Sequence, residues 1–299
     1  MSFRVVPTVL AAAACAVAAP ASAAAAPSGA AATRAAEPSI RQQLLKDART
    51  FAPALGADLT RANVARLARR DLVVVDGELT TAREVKKLKA HGALVLAYLS
   101  VGSVESWRSW FPLLEDYRLE ELGDWEGEAY ADVSQAGARD ALADQIAPDL
   151  LKKGFDGLFL DNVDMVEEHA AQQPGMVDLV TRLSTRVHAA GGVLMAQNGD
   201  TVIDPFVPLL DAWNREDPTG TYDFAKKKYV PTDAAGRRLA RATIKRLVGA
   251  GLVVTTIDYF GSPSSPHARR AIRISCQSGA LPFIGDIALK RIPKTAARC

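Results

Sequence analysis

The stretch Lys153-Gly154-Phe155-Asp156-Gly157-Leu158-Phe159-Leu160-Asp161-Asn162-Val163-Asp164 decides how this chain is read. An apolar run from Leu158 to Leu160 stops abruptly at Asp161, Asn162 and Asp164. A buried strand that empties carboxylates into a loop at its C-terminal end marks the working face of an α/β barrel. The competing explanation is a strand end whose Asp and Asn cap the next helix. Asp156 stands before the strand, at its opposite end, and is expected to be structural.

Outward from this stretch the chain alternates. Strand patterns fall at 50–54, 71–76, 94–100, 128–133, 157–161, 193–198, 211–216 and 252–259, with a further short extended piece at 282–286. Between them, apolar spacings of three and four predict helices at 60–68, 81–90, 136–152, 175–190, 232–250 and 265–278. Strictly alternating strands and helices give a parallel sheet with helices outside it. Eight main strands suggest closure, so the expected class is α/β, a single-domain (β/α)8 TIM barrel over residues 40–299. An open doubly wound sheet is the alternative. It would want a phosphate-binding glycine loop after a strand, and Ser100-Val101-Gly102-Ser103 offers one glycine.

The 299 residues are 48% hydrophobic and 23% charged, which fits a packed body of that size. Residues 1–23 carry Arg4, an apolar stretch from Val9 to Ala19 and the triplet Ala21-Ser22-Ala23, the layout of a secretory signal peptide. Residues 24–39 are Ala, Pro, Ser and Gly with little to bury, and read as a disordered leader. The mature protein is therefore expected outside the cell and free of the membrane. A net charge of +2 implies no strong field for nucleic acid. Cys276 and Cys299 remain after the leader, either as one disulfide or as two free thiols.

The predicted strand ends are rich in polar and aromatic groups: Ser100, then Asp161-Asn162, Gln197-Asn198, Asn214-Arg215-Glu216 and Asp258-Tyr259. In a barrel these converge on one cup. Carboxylates, amides and aromatic planes together suit a carbohydrate. Trp107, Trp110 and Trp125 can equally pack under a loop. Asp76 is either a turn residue or part of the cup. The four histidines lie away from strand ends and lack paired-ligand spacing, so neither metal nor cofactor is expected.

Tyr98-Leu99-Ser100-Val101-Gly102-Ser103-Val104-Glu105-Ser106-Trp107-Arg108 is similar to the Y-x-S-x-G-S-x-E-x-W-R signature of glycoside hydrolase family 114. Its members are described as endo-α-1,4-polygalactosaminidases with TIM-barrel folds. Asp124-Trp125-Glu126-Gly127-Glu128 with Asp132 resembles the next block, and Gly154 to Asp164 resembles the G-x-D-G…D-N-x-D block. Gln197-Asn198 resembles a K-N pair, Asp211 with Glu216 a D…N-E block, and Ile257-Asp258-Tyr259 an E-Y block. Leu160, Gln197, Arg215 and Asp258 depart from the pattern, standing where members carry Pro, Lys, Asn and Glu. The resemblance implies a polysaccharide hydrolase with Asp161 and Glu216 as its catalytic carboxylates. Substrate contacts are expected from Tyr98, Ser100, Glu105, Trp107, Arg108, Trp125, Asn162, Asp164, Asn198, Asp258 and Tyr259. A barrel that binds carbohydrate without turnover is the alternative.

Overall fold

Strand order decides the architecture. In chain order the elements are α1 (Ile40–Asp47), β1 (Phe51–Ala54), α2 (Arg61–Leu67), β2 (Leu72–Asp76), α3 (Ala82–Leu88), β3 (Leu94–Ser100), β4 (Ser103–Glu105), β5 (Arg118–Glu121), β6 (Glu128–Ala131), α4 (Ala136–Asp140), α5 (Ala147–Lys152), β7 (Gly157–Asp161), α6 (Gln173–Ala189), β8 (Val193–Gln197), β9 (Ala212–Glu216), β10 (Gly220–Asp223), β11 (Lys228–Pro231), α7 (Ala234–Gly249), β12 (Val253–Tyr259), α8 (Pro266–Gln277) and β13 (Leu281–Gly285). β1, β2, β3, β7, β8, β9, β12 and β13 form one eight-stranded parallel sheet in that order. This computed structural model describes residues 37–299, and Pro38–Cys299 form one compact unit. The expected signal peptide and most of the expected leader lie outside the described residues.

The sheet is a TIM barrel, as the alternation predicts, with one correction to its staves. The strand at Glu128–Ala131 is not in the barrel. It pairs antiparallel with β4 and β5 in a small sheet inserted after β3. The eighth stave is the piece at Leu281–Gly285. Periodicity gives a strand's existence but not its partner, and β6 is as apolar and buried as a stave. A second insertion, the β10–β11 hairpin, follows β9.

Strands such as Leu72–Asp76 are buried throughout, as expected where side chains fill the barrel on one face and meet helices on the other. Helices begin where short polar side chains cap them. Ser39 with Gln42 and Thr81 with Glu84 form capping boxes, and Asp233 and Ser265 cap α7 and α8. The helical stretch between β6 and β7 is continuous from Ala136 to Lys152 through a π-helical segment at Ala141–Ile146. α1 was not expected. It lies across the N-terminal end of the barrel, where Arg41 reaches Asp156 and Gln42 reaches Asp211.

The N-terminal ends of the staves share one device. Asp71, Asp156 and Asp211 each precede a stave and accept the amide at or beside the start of its neighbour. The bonds are Arg49 N at 2.8 Å, Val95 N at 3.0 Å and Leu194 N at 2.8 Å. Each fixes the register of two adjacent strands. Asp156 is structural, as its position predicts. Cys276 and Cys299 are joined as a disulfide, with Cα atoms 5.2 Å apart. No helix among the described residues is long and apolar enough to cross a membrane.

Candidate active site

Three consecutive staves end in the same way. Asp161, Gln197 and Glu216 close β7, β8 and β9, and each is followed by an Asn or Asp in the left-handed region: Asn162 (φ 58°), Asn198 (φ 59°) and Asp217 (φ 44°). Asn and Asp enter this region at less cost than other residues with a Cβ. The backbone turns away at once, and the last side chain of each strand is left in the cup. Gly102 supports the same rim from below: a Cβ there would lie 1.9 Å from the Asn162 carbonyl oxygen.

The cup is a cavity of about 580 Å³ at the C-terminal ends of the staves. Tyr98, Glu105, Trp107, Arg108, Trp125, Asp161, Asn162, Asn198, Glu216 and Tyr259 all line it. Three expected contacts do not. Ser100 is buried under the β4–β6 sheet, bonded to Ser103 (2.6 Å) and Asn162 Nδ2 (2.9 Å). Asp258 alternates to the outside of its strand, where one carboxylate oxygen accepts Thr219 N, Thr219 Oγ1 and Gly220 N at 2.7–2.9 Å. It anchors the β10–β11 hairpin. Asp164 lies behind the rim, against Gly199. Burial, then the Asp161 charge, pushes its carboxyl up to about 8.

Asp161 accepts three bonds, all at 2.8 Å: Tyr98 Oη–H on Oδ2, and the Asn162 amide and Gln197 Nε2 on Oδ1. The Gln197 amide is itself held. Thr255 Oγ1 donates to Asn214 Oδ1 (2.6 Å), and Asn214 Nδ2 donates to Gln197 Oε1 (2.7 Å). Asn214 and Thr255 are fully buried. The chain Thr255→Asn214→Gln197→Asp161 therefore aims every donor toward the carboxylate and fixes which way each amide faces. Gln197 was legible as a polar strand end and as a replacement for Lys in a family block, but its partner Asp161 is 36 residues away.

Glu216 accepts Asn198 Nδ2 on Oε2 (2.9 Å) and the Tyr259 hydroxyl on Oε1. Asn198 also takes Glu216 N on its Oδ1 (3.0 Å), so the amide grips both ends of the residue. Burial, then the Asp161 charge, pushes the Glu216 carboxyl up to about 7 against these two donors. Burial also raises Asp161, against its three donors. The phenols of Tyr98 and Tyr259 are raised further by burial and by these same carboxylates, so they stay protonated and remain donors. Arg215 does not serve Glu216's carboxylate. Its guanidinium pairs with Asp200 (2.6 Å) and Asp217 (3.1 Å). Trp213, on the same strand, is core and donates to the Asn198 carbonyl at 2.7 Å.

The β4–β6 side is also charged. Arg108 forks onto Glu105 (2.7 and 2.8 Å) and reaches Asp76 (2.7 Å). Glu128 accepts from Ser103, and burial pushes its carboxyl up to about 7. Sequence reasoning assigned no role to Glu128, although it stands in a quoted block. Six carboxyl groups line the cup (Asp76, Glu105, Glu128, Asp161, Glu216 and Asp217) against two guanidinium groups, Arg108 and Arg215. Both guanidiniums are already paired, so the cup is net acidic. Above it, Trp125 from the β5–β6 turn meets Phe224 from the β10–β11 hairpin edge-on at 5.6 Å. The two insertions thus touch across the mouth. The hairpin was missed because its Lys-rich turn reads as loop.

One carboxyl that keeps its proton near neutrality beside one supplied with donors is the asymmetry that glycoside cleavage needs. Comparison with known proteins agrees. A family model described as glycoside-hydrolase family GH114 matches residues 30–289. The chain belongs to family GH114. An uncharacterized protein of Deinococcus radiodurans is 30% identical over 258 residues, spanning 79% of this chain and 80% of its own. The glycoside hydrolase domain of PelA from Pseudomonas aeruginosa has the same fold, with a TM-score of 0.70 at 23% identity over 81% of this chain and 96% of that one. Aspergillus fumigatus Ega3, solved in complex with galactosamine, gives 0.66 at 19% identity over 91% and 100%. This GH114 member is a glycoside hydrolase, and its substrate is a carbohydrate.

Proposed function

We propose that this GH114 chain is a secreted endo-acting hydrolase of α-1,4-linked galactosamine-type polysaccharide, with Asp161 and Glu216 as its catalytic carboxylates. The observation that carries the substrate class is the charge of the cup. An excess of carboxyl groups, with both arginines spoken for, favours a sugar polymer bearing ammonium groups. The Ega3 complex with galactosamine supports the same class.

Glu216 is the general acid. It holds a proton up to about pH 7 and can deliver it to the leaving oxygen. Asp161 is the nucleophile or base, because three donors stabilise its anion. Its negative charge in turn helps keep Glu216 protonated. Trp107 and Trp125, both about half exposed, offer ring faces to the apolar sides of sugars. Secretion is supported by the signal layout of residues 1–23 and by the Cys276–Cys299 disulfide, a bond suited to an oxidising compartment.

The test is release of reducing ends from partly deacetylated α-1,4-linked galactosaminogalactan, with products sized by mass spectrometry. Short oligomers from wild type, suppressed when the polymer is fully N-acetylated, are expected. Equal release from the acetylated polymer would overturn the cationic substrate class. No release from either would overturn the activity.

A further inference from the structure

We propose that the groove between α7 and α8, on the outer wall of the barrel, binds a phosphodiester polymer. The groove has a volume of about 300 Å³, and Arg237, Arg238, Arg241 and Arg270 line it above Ile244 and Ile274, with no carboxylate in the lining. Arg237 donates to the Thr232 carbonyl. Arg238, Arg241 and Arg270 have no ion-pair or hydrogen-bond partner among the described residues.

This is not how the rest of the surface treats its cations. On the α4–α6 side, Arg139 pairs with Asp178, Arg182 with Asp140 and Asp144, and Arg186 with Asp144. α7 and α8 together carry eight Lys and Arg residues and no Asp or Glu. Like charges gathered in one groove repel, and a solvated face gains nothing from converging them. An anion in the groove removes the repulsion.

The number of donors selects the anion. One guanidinium fork satisfies a single carboxylate, whereas several guanidiniums on one cavity suit the tetrahedral acceptor array of a phosphate. The pattern also selects a chain over a single ion. Arg238, Arg241 and Lys245 continue along one face of α7, and Arg269 and Arg273 continue along α8 beyond the groove. Successive cations of this face are separated by roughly 4.5–6 Å along the axis, at about 1.5 Å per residue. The whole-chain charge of +2 conceals this stripe, because the acidic cup offsets it.

The groove and the cup adjoin through the segment that leaves β9. Glu216 and Asp217 line the cup, and the next two residues, Pro218 and Thr219, line the groove. If the cup takes a polycation, the molecule presents opposite charges to the two components of a polyelectrolyte complex. Binding in the groove would hold the enzyme where its cationic substrate is neutralised by a polyanion.

The probe is a fluorescently labelled single-stranded oligothymidylate of about 20 nucleotides, titrated with the folded protein at about 50 mM salt. Micromolar binding is expected, with log K falling against log salt at a slope of about −2, the value for about three phosphate contacts on a single strand. The triple variant Arg238→Glu/Arg241→Glu/Arg270→Glu should bind at least tenfold more weakly and with a flatter slope. Single Arg→Gln changes, each checked by circular dichroism, should give graded losses if the triple variant does not fold. Absence of binding, binding by the folded variants equal to that of wild type, or tighter binding of polygalacturonate than of the oligonucleotide would overturn the proposal. The readout is binding, so a failure here leaves the hydrolase reading intact, and the reverse also holds.

Discussion

The staves β7 and β9 each carry an acid at both ends, and the two ends treat it oppositely. At the N-terminal end, Asp156 meets Arg41 and Lys89, both at 2.7 Å, and Asp211 meets His188 at 2.8 Å. Burial alone would raise the Asp211 carboxyl, but His188, the Leu194 amide and Gln42 hold it below the usual carboxylate range. Five residues further on, Asp161 and Glu216 have only neutral partners, and both are raised. The same side-chain chemistry is tied down at one end and kept adjustable at the other. The difference lies in whether the barrel brings a cation to it.

The largest test of that contrast is turnover. Asp161→Asn and Glu216→Gln should each lower kcat by about a thousandfold, within the range for lost acid–base groups. Asp156→Asn and Asp211→Asn should stay within about twofold. Steady-state kinetics beside melting curves separates the two ends. A deep loss of turnover from Asp156→Asn at unchanged Tm would erase the distinction.

Stability should show the reverse order. Asp156→Ala strands Arg41, Lys89 and the Val95 amide, and should cost roughly 2–3 kcal/mol, the range for an orphaned buried donor with its charged partners. Urea unfolding measures it. A change below about 0.5 kcal/mol would mean that the bottom acids do not hold the register, since only changes away from such features stay that small.

A third test separates holding from reacting at the top. Asn214→Ala frees the Gln197 amide, which should lower kcat about tenfold, the cost of one hydrogen bond to a charged group. It should also move the acidic limb of the pH–rate profile upward, because Asp161 loses support for its anion. A purely structural role for Asn214 would lower activity without moving that limb.

The smallest effects are slopes of stability with pH, and they should differ in sign. Glu216 titrates at about 7 when folded and in the ordinary carboxylate range when unfolded. Between those values the folded state holds the extra proton, so its contribution falls as pH rises. Glu216→Gln should therefore gain on wild type between pH 5 and 8, by a few degrees in Tm. Asp211 is depressed, so its contribution is present at neutral pH and is lost as pH falls through its folded value. His188 is raised, chiefly by Asp211, and its contribution is present below its unfolded value near 6.5 and lost as pH rises. The deficit of His188→Ala should thus shrink from pH 5.5 to 8.5. It is worth only about 0.5 kcal/mol, because the ring is partly exposed.

Much of this contrast was legible in the sequence. The run from Gly157 to Asp161 gave a stave with its acid at the functional end, and Asp156 was placed at the other end from position alone. What escaped was pairing across distance. Glu128–Ala131 has every local property of a stave, yet joins β4 and β5. Asp258 stands next to the end of its strand, yet strand alternation turns it outward onto Thr219 and Gly220. The donor chain behind Asp161 gathers residues from β8, β9 and β12, and no window of sequence contains two consecutive links of it.

The disulfide bears on how the barrel comes apart. β13 is laddered only to β12, and it meets β1 across the seam through packing, with Phe283 edge-on to Phe51 at 6.3 Å. A stave zipped on one side is the natural place for peeling to begin. The Cys276–Cys299 bond closes a lasso that contains β13 and Ile287–Leu289 on the lip of the cup. The stave cannot be drawn away by its trailing segment, because that segment is fastened to α8. A reductant would therefore loosen the seam and the lip of the cup together.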